Sequence, residues 1–324
     1  MATSWPPGFP VFQTGMEQFA ARVKEMSGGR LSIRVYAGGE LIPPLEVFDA
    51  ISAGTVEMGH SASYYWAGKA PELQLFTTSP FGLTAQQFNA WFYHGGGLEL
   101  MHEMYKPYNI ITFPSCNTGV QMGGWFNRKI ERIEDFNGLK MRIPGLGGRV
   151  VAKAGVNVVL MAAGELYTAL ERGTIDALEW VGPYHDLKLG FYRAAKYYYY
   201  PGWHEPGTML ELMVNLKAWE SLPKDLQMIV EAAAAQSNLL GLAEFDAKNG
   251  EALNELVNTY KAQVLKFPDE VLKTLHGYAR EVLEEEAAKS PGQRKVYDAF
   301  RAFAGRVEPW TRMSERAFME AKGL

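Results

Sequence analysis

Four short segments of the sequence place polar side chains among apolar or glycine-rich neighbours. They are residues 117–121, 140–145, 176–180 and 202–205. Arg142 lies in the second of them, inside a strand-like run that ends at Pro-Gly, and strand ends are where α/β folds place ligand groups. The planar fork of an arginine can hold a carboxylate by two parallel hydrogen bonds. A solvent-facing arginine on an edge strand would give the same pattern, so both interpretations stay open.

Two glutamates and one amide could supply oxygen ligands to a cation. Glu179 follows an apolar strand-like run, and Glu205 lies in a Trp-His-Glu-Pro context. An unpaired buried carboxylate is too costly, so each should be exposed, paired or bound to a cation. Together with the side-chain oxygen of Gln121, the two carboxylates would suit a hard cation, which prefers oxygen ligands. Salt bridges to lysine or arginine explain the same glutamates without any cation.

Three fragments begin known catalytic or nucleotide-binding motifs, and each motif is incomplete. Residues 94–97, His-Gly-Gly-Gly, match an esterase oxyanion loop, but the sequence has no G-x-S-x-G motif. His102 and Glu103 start a zinc-protease motif, but Lys106 stands where the second histidine is required. Residues 145–149 lack the Lys-Ser/Thr of a P-loop, and we interpret them as a loop leading into a helix over 149–154. These fragments support no enzyme class.

The composition is that of a folded protein with two lobes. The chain has 324 residues, which is more than one hydrophobic core usually serves. The net charge of −4 comes without a basic stripe, which argues against a nucleic-acid partner. Apolar stretches are far shorter than the roughly 20 residues of a membrane span. No signal peptide opens the chain, and Met1–Ser4 running into Trp5 would fit a mature sequence with an added start methionine. The composition fits a cytosolic protein equally well. Cys116 is the single cysteine, which excludes an internal disulfide.

Helix and strand patterns alternate over the first two thirds of the chain. Apolar residues repeat at helical spacing from 12 to 26, and Leu31–Val35 alternates as a strand. A helical pattern over 44–53 is followed by a strand pattern over 56–61. This order predicts a sheet covered by helices. Further strands are predicted near 109–113, 123–127, 139–143, 157–161, 177–181, 197–200 and 209–216.

After Pro223 the pattern is helical. The helical segments are residues 224–260, 269–289, 292–307 and 312–321. Roughly 100 helical residues are more than one lobe needs, so they should clamp across both lobes or bury themselves against another subunit. The apolar stripe on the first of these segments should be covered, which favours a homodimer. Its members are Phe245, Leu253, Leu256 and Val257.

Two segments carry a resemblance to a known family. Residues 138–145, Gly-Leu-Lys-Met-Arg-Ile-Pro-Gly, and residues 173–180, Gly-Thr-Ile-Asp-Ala-Leu-Glu-Trp, together resemble the paired signature of DctP-like solute-binding proteins of TRAP transporters. Residues 19–31, 38–41 and 50–59 match the family in the same order. The resemblance extends over most of residues 5–260.

The resemblance implies an α/β fold of the two-lobed periplasmic-binding-protein type (type II-like). A cleft would separate the lobes, and the C-terminal region would be long and helical. One lobe would comprise residues 1–113 with about 206–236, and the other 114–205 with about 237–324. The protein would be a periplasmic receptor that closes over a small organic carboxylate and leaves it unchanged. Its partners would be the membrane subunits of a TRAP transporter and, as in some members that exchange a C-terminal helix, a second copy.

Segments 63–66 and 179–183 most resemble the branch that binds 2-oxo and 2-hydroxy monocarboxylates such as pyruvate and lactate. The resemblance implies that Arg142 anchors the carboxylate. It also implies a metal cation, sodium or calcium, with the ligands Gln121, Glu179, the Trp180 carbonyl and Glu205. The substrate would further contact Asn117, Tyr64, Tyr65, Gln121 and Trp180. A metal-assisted α/β hydrolase that uses Glu179 and Glu205 on a small organic acid is the alternative function.

Overall fold

The strands of this protein are short and lie between longer helices. The computed structural model describes residues 1–323. The strands are β1 Ala2–Thr3, β2 Met58–Ser61, β3 Ile110–Asn117, β4 Gly124–Phe126, β5 Lys140–Arg142, β6 Asn157–Val159, β7 Ala177–Leu178, β8 Tyr197–Tyr200, β9 Met209–Asn215 and β10 Gln263–Lys266. The helices are α1 Phe12–Met26, α2 Val47–Ala53, α3 Gln74–Thr77, α4 Ala85–His94, α5 Gly97–Tyr105, α6 Gly145–Lys153, α7 Ala163–Glu171, α8 Pro183–Leu189, α9 Leu216–Ser221, α10 Lys224–Asn258, α11 Asp269–Ala287, α12 Pro291–Thr311 and α13 Ala317–Ala321. A π-helical turn joins α12 to α13.

The strands form two sheets, which confirms the prediction of an α/β fold. In the first sheet the order is β1-β2-β9-β3, and β9 runs antiparallel to both of its neighbours. In the second sheet the order is β10-β8-β4-β7-β5-β6, and β7, β5 and β6 run parallel to one another. Helices pack on both sheets, as an alternating pattern requires.

The register of the second sheet places two of the predicted site segments side by side. Met141 pairs with Ala177, and Arg142 pairs with Leu178. The backbone N–H of Glu179 then donates to the carbonyl oxygen of Arg142 at 3.2 Å. Because the carboxyl ends of parallel strands meet at one edge of a sheet, Arg142 and Glu179 emerge together.

The predicted strand at Leu31–Val35 is wrong. This segment lies beside β1, and among residues 1–323 the strand pairing found next to it is an isolated bridge between Tyr36 and Ala2. Its neighbour β1 is two residues long, so a ladder of hydrogen bonds cannot extend along the segment.

The loop predicted for residues 145–149 is also wrong, because α6 begins at Gly145. The glycines there allow close packing. A Cβ at Gly148 would lie 2.8 Å from the carbonyl oxygen of Ile143 and 3.0 Å from the Val158 side chain. The first turns of α6 can therefore lie directly on β5 and β6.

The helical C-terminal region spans both sheets. The first half of α10 packs against α1 and β3, where Val230 is buried, and its second half packs against α8. Phe245 and Leu256, from the apolar stripe, are buried within this same chain, while Val257 is 38% exposed. Farther on, α11 packs on α6, and α12 packs on α4 and α5. Most of the C-terminal helical region therefore packs across the two sheets of its own chain, as the clamp interpretation predicted.

Two elements run through the lobe boundaries expected from the sequence. Strand β3 continues past residue 113, and α10 continues past residue 236. The division into lobes at these positions stays a prediction. Within residues 1–323, none of the helices combines the length and apolar character that crossing a bilayer requires.

Glu211, in the middle of β9, is a fully buried acid that should make stability depend on pH. It accepts hydrogen bonds from the Tyr105 hydroxyl at 2.7 Å and from the Thr112 hydroxyl at 2.9 Å. Burial raises the pKa of Glu211 to about 7, although these two hydrogen bonds oppose the rise. The folded state therefore holds a proton that the unfolded state releases from about pH 4.5 upward.

We predict that the unfolding free energy falls as pH rises from about 4.5 to about 7, by something of order 3 kcal/mol from Glu211 alone. Glu211→Gln should remove that part of the slope. Urea unfolding of both proteins across this pH range measures it, and Glu220→Gln, at an exposed position on α9, is the control. Identical slopes for wild type and Glu211→Gln would contradict the prediction.

Candidate ligand and cation site

Arg142 is buried at the end of β5, with 1% of its surface exposed. Because β5 lies between β7 and β6, the edge-strand interpretation is wrong. Its Nη1 donates to the carbonyl oxygen of Glu179 at 3.0 Å and to Oε1 of the same residue at 2.5 Å. Its Nε donates to the carbonyl oxygen of Met161 at 3.3 Å. Burial opposes the charge, but Glu179 and other nearby acidic groups outweigh it and raise the pKa of Arg142.

The Nη2 end of the Arg142 guanidinium can still donate hydrogen bonds. Its Nη2 lies 3.5 Å from the Tyr65 hydroxyl oxygen, at the outer limit of a hydrogen bond. The guanidinium also lies over the Trp180 ring, 5.1 Å from the ring centre. A guanidinium carries five N–H donors. The end nearest Tyr65 can therefore receive an oxygen from a ligand.

Two carboxylates converge beside Arg142. Glu179 uses one oxygen for Arg142, and its other oxygen lies 3.0 Å from Nε2 of His204. Glu205 accepts hydrogen bonds from Nε2 of Gln121 at 2.7 Å and from the Thr208 hydroxyl at 2.5 Å. Ligand atoms of Glu179, His204 and Glu205 all lie within 4.8 Å of one another. In the part of the chain that the structure describes, Glu179 has a cationic partner in Arg142, while Glu205 has no lysine or arginine partner.

His204 is the residue at this site that the sequence pattern did not single out. Consecutive residues on an extended strand point to opposite faces, so two neighbours are not expected at one site. Here residues 202–205 form a turn, and the N–H of Glu205 donates to the carbonyl oxygen of Gly202 at 3.1 Å. Gly202 also donates to the carbonyl oxygen of Gln121 at 2.8 Å, and a Cβ at position 202 would lie 2.2 Å from that oxygen. Gly202 thus lets the turn approach Gln121. A glycine directly before Trp-His-Glu was the one feature of the sequence that could have indicated this turn, and with it the place of His204 at the site.

The site holds more negative charge than Arg142 can balance. Burial raises the pKa of Glu205 well above its ordinary value, and the charge of Glu179 raises it further. Hydrogen bonds from Thr208 and Gln121, together with the Arg142 charge, offset only part of the rise. Two buried carboxylates and one guanidinium require a further positive charge, either a proton or a cation.

Several buried polar atoms at the site have no hydrogen-bond partner among residues 1–323. They are Asn117 Nδ2, Gln121 Oε1, Trp180 Nε1 and His204 Nδ1. A buried polar atom without a partner lowers stability, and most such atoms in proteins are satisfied. Two of these atoms, on Asn117 and Trp180, are donors, and the amide oxygen of Gln121 is an acceptor. The set therefore has both donors for an anion and an oxygen for a cation.

A small cavity of about 10 Å³ lies against these groups. Its lining combines polar and apolar side chains. The polar ones belong to Tyr64, Tyr65, Thr118, Gln121, Arg142 and Thr208, and the apolar ones to Trp5, Phe12, Trp180, Val181 and Leu210. Burial raises the pKa of Tyr65 to about 12 and that of Tyr64 well above its ordinary value, so both keep their hydroxyl protons as donors. Five of the predicted site residues thus line one cavity, with Glu179 and Glu205 joined to it through Arg142 and Gln121. Asn117 is buried next to Thr118 and is not among the described residues that line the cavity.

Comparison with known proteins finds close relatives along the whole chain. A monocarboxylate 2-oxoacid-binding periplasmic protein from Nostoc sp. strain PCC 7120 is 48% identical over 318 residues, which are 98% of this chain and 87% of that protein. A TRAP periplasmic solute-binding protein from Colwellia psychrerythraea, solved with calcium and pyruvate bound, is 46% identical with a TM-score of 0.96, over 99% of this chain and 98% of that one. Another from Pseudoalteromonas atlantica T6c, with sodium and pyruvate bound, is 46% identical with a TM-score of 0.95, over 98% and 97% of the two chains.

The family itself is shown by a match of residues 1–290 to the model of the bacterial extracellular solute-binding proteins, family 7. The two solved relatives confirm the predicted two-lobed binding-protein fold. Members of this family are receptors that deliver solutes to transporters, so the hydrolase alternative is wrong. The chain belongs to family 7 of the bacterial extracellular solute-binding proteins, the DctP family.

Proposed function

We propose that this protein is the solute receptor of a TRAP transporter and captures a small 2-oxo or 2-hydroxy monocarboxylate, such as pyruvate or lactate, together with sodium or calcium. The observation that carries the proposal is the closed cavity beside the buried Arg142, Glu179 and Glu205. Membership in an extracellular solute-binding family implies a periplasmic location. The partners would be the solute and the membrane subunits of the transporter.

The volume of the cavity supports a small solute. Its volume of about 10 Å³ is room for about one water molecule. An acid the size of pyruvate would therefore require a small separation of the cavity walls, whereas a sugar acid would require a much larger one. The three relatives compared above are named for 2-oxo acids or hold pyruvate, which agrees with this size.

The carboxylate of the acid would lie at the free end of the Arg142 fork. There it would meet Nη2 of Arg142 and the Tyr65 hydroxyl, which lie 3.5 Å apart. The unpartnered N–H groups of Asn117 and Trp180 are the further donors available nearby. Tyr64 packs against Tyr65, with 4.9 Å between ring centres, and encloses the same side of the cavity. These residues would orient the acid and exclude water from it.

The oxygen atoms around Gln121 fit a hard cation. Gln121 Oε1 is buried without a partner in the described chain, and the amide nitrogen of the same side chain donates to Glu205. Oxygen atoms of Glu205 and Glu179 lie within 4.8 Å of each other. With the Trp180 carbonyl they form the oxygen-rich set that sodium and calcium prefer. A bound cation would supply the missing positive charge and open positions for the acid's carboxylate and 2-oxygen. Either ion remains a candidate, since the solved relatives hold one or the other.

His204 would act on the cation site through Glu179. Its Nε2 lies 3.0 Å from one carboxylate oxygen of Glu179, which Arg142 holds from the other side. Carboxylates that bind metals are commonly fixed by such hydrogen bonds. With Nε2 as donor, His204 positions Glu179 and leaves the cation an all-oxygen environment.

We predict that acid and cation bind together. In protein stripped by chelator and kept free of sodium, two carboxylates repel the incoming one, so affinity for pyruvate should fall at least about tenfold. Calorimetry with pyruvate, repeated with calcium and with sodium added separately, measures the effect and distinguishes the ions. Glu205→Gln removes one charge and should reduce the cation dependence. Equal affinity with and without cation would refute the linkage and leave only the Arg142 anchor.

We predict that Arg142→Lys weakens acid binding by about 2–5 kcal/mol, the usual loss when a buried charged pair is broken. The lysine keeps the charge and loses the fork that reaches Glu179 and the cavity together. The control is Arg149→Lys on α6, where the arginine pairs with Glu286 and is partly exposed. If Arg142→Lys binds pyruvate within about threefold of wild type, Arg142 is not the anchor.

The end of the C-terminal region presents an apolar surface that we propose to be covered by a second copy of the chain. Trp310, Met313, Phe318 and Met319 are between 50% and 71% exposed. They lie on α12, the π-helical turn and α13, where the helix extends past α4 and α5. Large apolar side chains clustered on a surface usually mark an interface.

We predict a homodimer with twice the 36.2 kDa mass of the chain. The double variant Trp310→Ser, Phe318→Ser should be monomeric, because it removes most of the apolar area. Met228→Ser, which changes a similarly exposed residue on α10, should leave the dimer intact. Light scattering at micromolar concentration measures the three masses. A wild-type mass near that of one chain would overturn the prediction.

A further inference from the structure

A strained turn precedes α1 and presents Phe12 to the cavity. The N–H of Phe12 donates to the carbonyl oxygen of Pro10 at 2.6 Å, which makes Pro10–Phe12 a γ-turn. Val11, at its centre, has φ 59° and ψ −54°. This conformation is unfavourable for any residue with a Cβ and especially for a β-branched one. The backbone keeps it because the surrounding contacts over-determine the turn.

His185, on α8, holds the turn from the side of the second sheet. Its Nε2 lies 2.9 Å from the carbonyl oxygen of Pro10, so Nε2 carries the proton and donates it. The ring of His185 packs edge-on against Phe12 at 4.6 Å and tilted against Phe9 at 4.3 Å. Burial lowers the pKa of His185 to about 3, so the ring is neutral at physiological pH. The contact is therefore independent of pH in that range.

Phe12 forms part of the apolar side of the cavity. Its ring lies 4.6 Å from that of Trp5 and 6.4 Å from that of Trp180, and all three line the empty space with Val181 and Leu210. The same cavity is also lined by the polar groups that would hold a carboxylate and a cation, which are Arg142, Tyr65 and Gln121. With the carboxylate held by these polar groups, the apolar residues Trp5 and Phe12 are the fitting neighbours for the carbon substituent of a bound acid.

We infer that Phe12, fixed by the Val11 turn and by His185, sets the length of the carbon chain that the receptor accepts. This inference rests on the proposed function and specifies its substrate class, which is unbranched 2-oxo acids with one or two carbons beyond C2. A longer substituent meets the Phe12 ring. The ring is held in place because it packs edge-on against Phe245, 5.8 Å between ring centres, and because the turn fixes its backbone.

The test measures how chain length affects binding in Phe12→Leu and Phe12→Ala at saturating cation. Dissociation constants for pyruvate, 2-oxobutanoate and 2-oxopentanoate are compared by calorimetry. One methylene in an apolar pocket changes binding by about 10–200-fold, so wild type should discriminate against 2-oxopentanoate by at least about tenfold. Phe12→Ala should remove or reverse that preference, and Phe12→Leu should reduce it in the same direction.

Phe9→Leu is the matched control. Phe9 packs on the same rings of Phe12, Trp180 and His185 but is not among the cavity-lining residues of the described chain. Phe9→Leu should change the dissociation constants of all three acids by the same factor. His185→Phe keeps an aromatic ring and removes the donor to Pro10, so it should relax the chain-length preference with Phe12 still present.

Three results would overturn the inference. In the first, Phe12→Leu weakens the binding of all three acids by one common factor, which would mean that Phe12 has only a structural role. In the second, Phe9→Leu shifts chain-length preference as much as Phe12→Leu. In the third, His185→Phe keeps the full wild-type preference, which would contradict the part assigned to the turn. Failure of wild type to bind any 2-oxo acid would instead refute the proposed function. If Phe12→Ala does not fold, Phe12→Leu supplies the measurement.

Discussion

The buried pairing of Arg142 with Glu179 is the interaction on which the site depends. Parallel pairing of β5 with β7 brings the two residues to one sheet edge, and the pair is almost completely removed from water. A buried ion pair is stable only when its other polar atoms are also satisfied. Glu179 meets this condition through His204, whereas in the described chain Gln121 Oε1 has no hydrogen-bond partner and Glu205 has no lysine or arginine partner. The unsatisfied groups next to a satisfied pair are the reason for proposing a binding site at this edge instead of a structural salt bridge.

The parts of the site that follow regular strands were predictable from the sequence. Arg142 and Glu179 each end an apolar run, and parallel strands bring such ends together. His204 and Phe12 were not predictable as site residues, because their positions depend on irregular backbone: the turn at 202–205 and the γ-turn at Val11. No periodicity describes such turns, and the contacts that stabilise them come from residues more than 80 positions away in the chain, such as Gln121 for Gly202.

The secondary structure was likewise predictable in regular segments and not in segments whose conformation depends on a packing partner. Long periodic segments such as α1, α10 and α11 were predicted to within two residues, since the amphipathic pattern is the signal that tertiary packing uses. Errors occurred where a partner decides the outcome. Leu31–Val35 has strand periodicity but only a two-residue neighbour, and residues 145–149 are glycine-rich because α6 packs closely on β5 and β6.

The depth of the site has a kinetic consequence. Arg142, Glu179 and Glu205 are each no more than 2% exposed, and the cavity is enclosed by residues that approach it from both sheets. A solute in this position has no path to the solvent while the walls remain together. Its escape is then limited by how often the walls separate, and the strength of individual contacts acts only through that opening. Residence time and equilibrium affinity become distinct properties, and acids of unequal affinity can leave at similar rates.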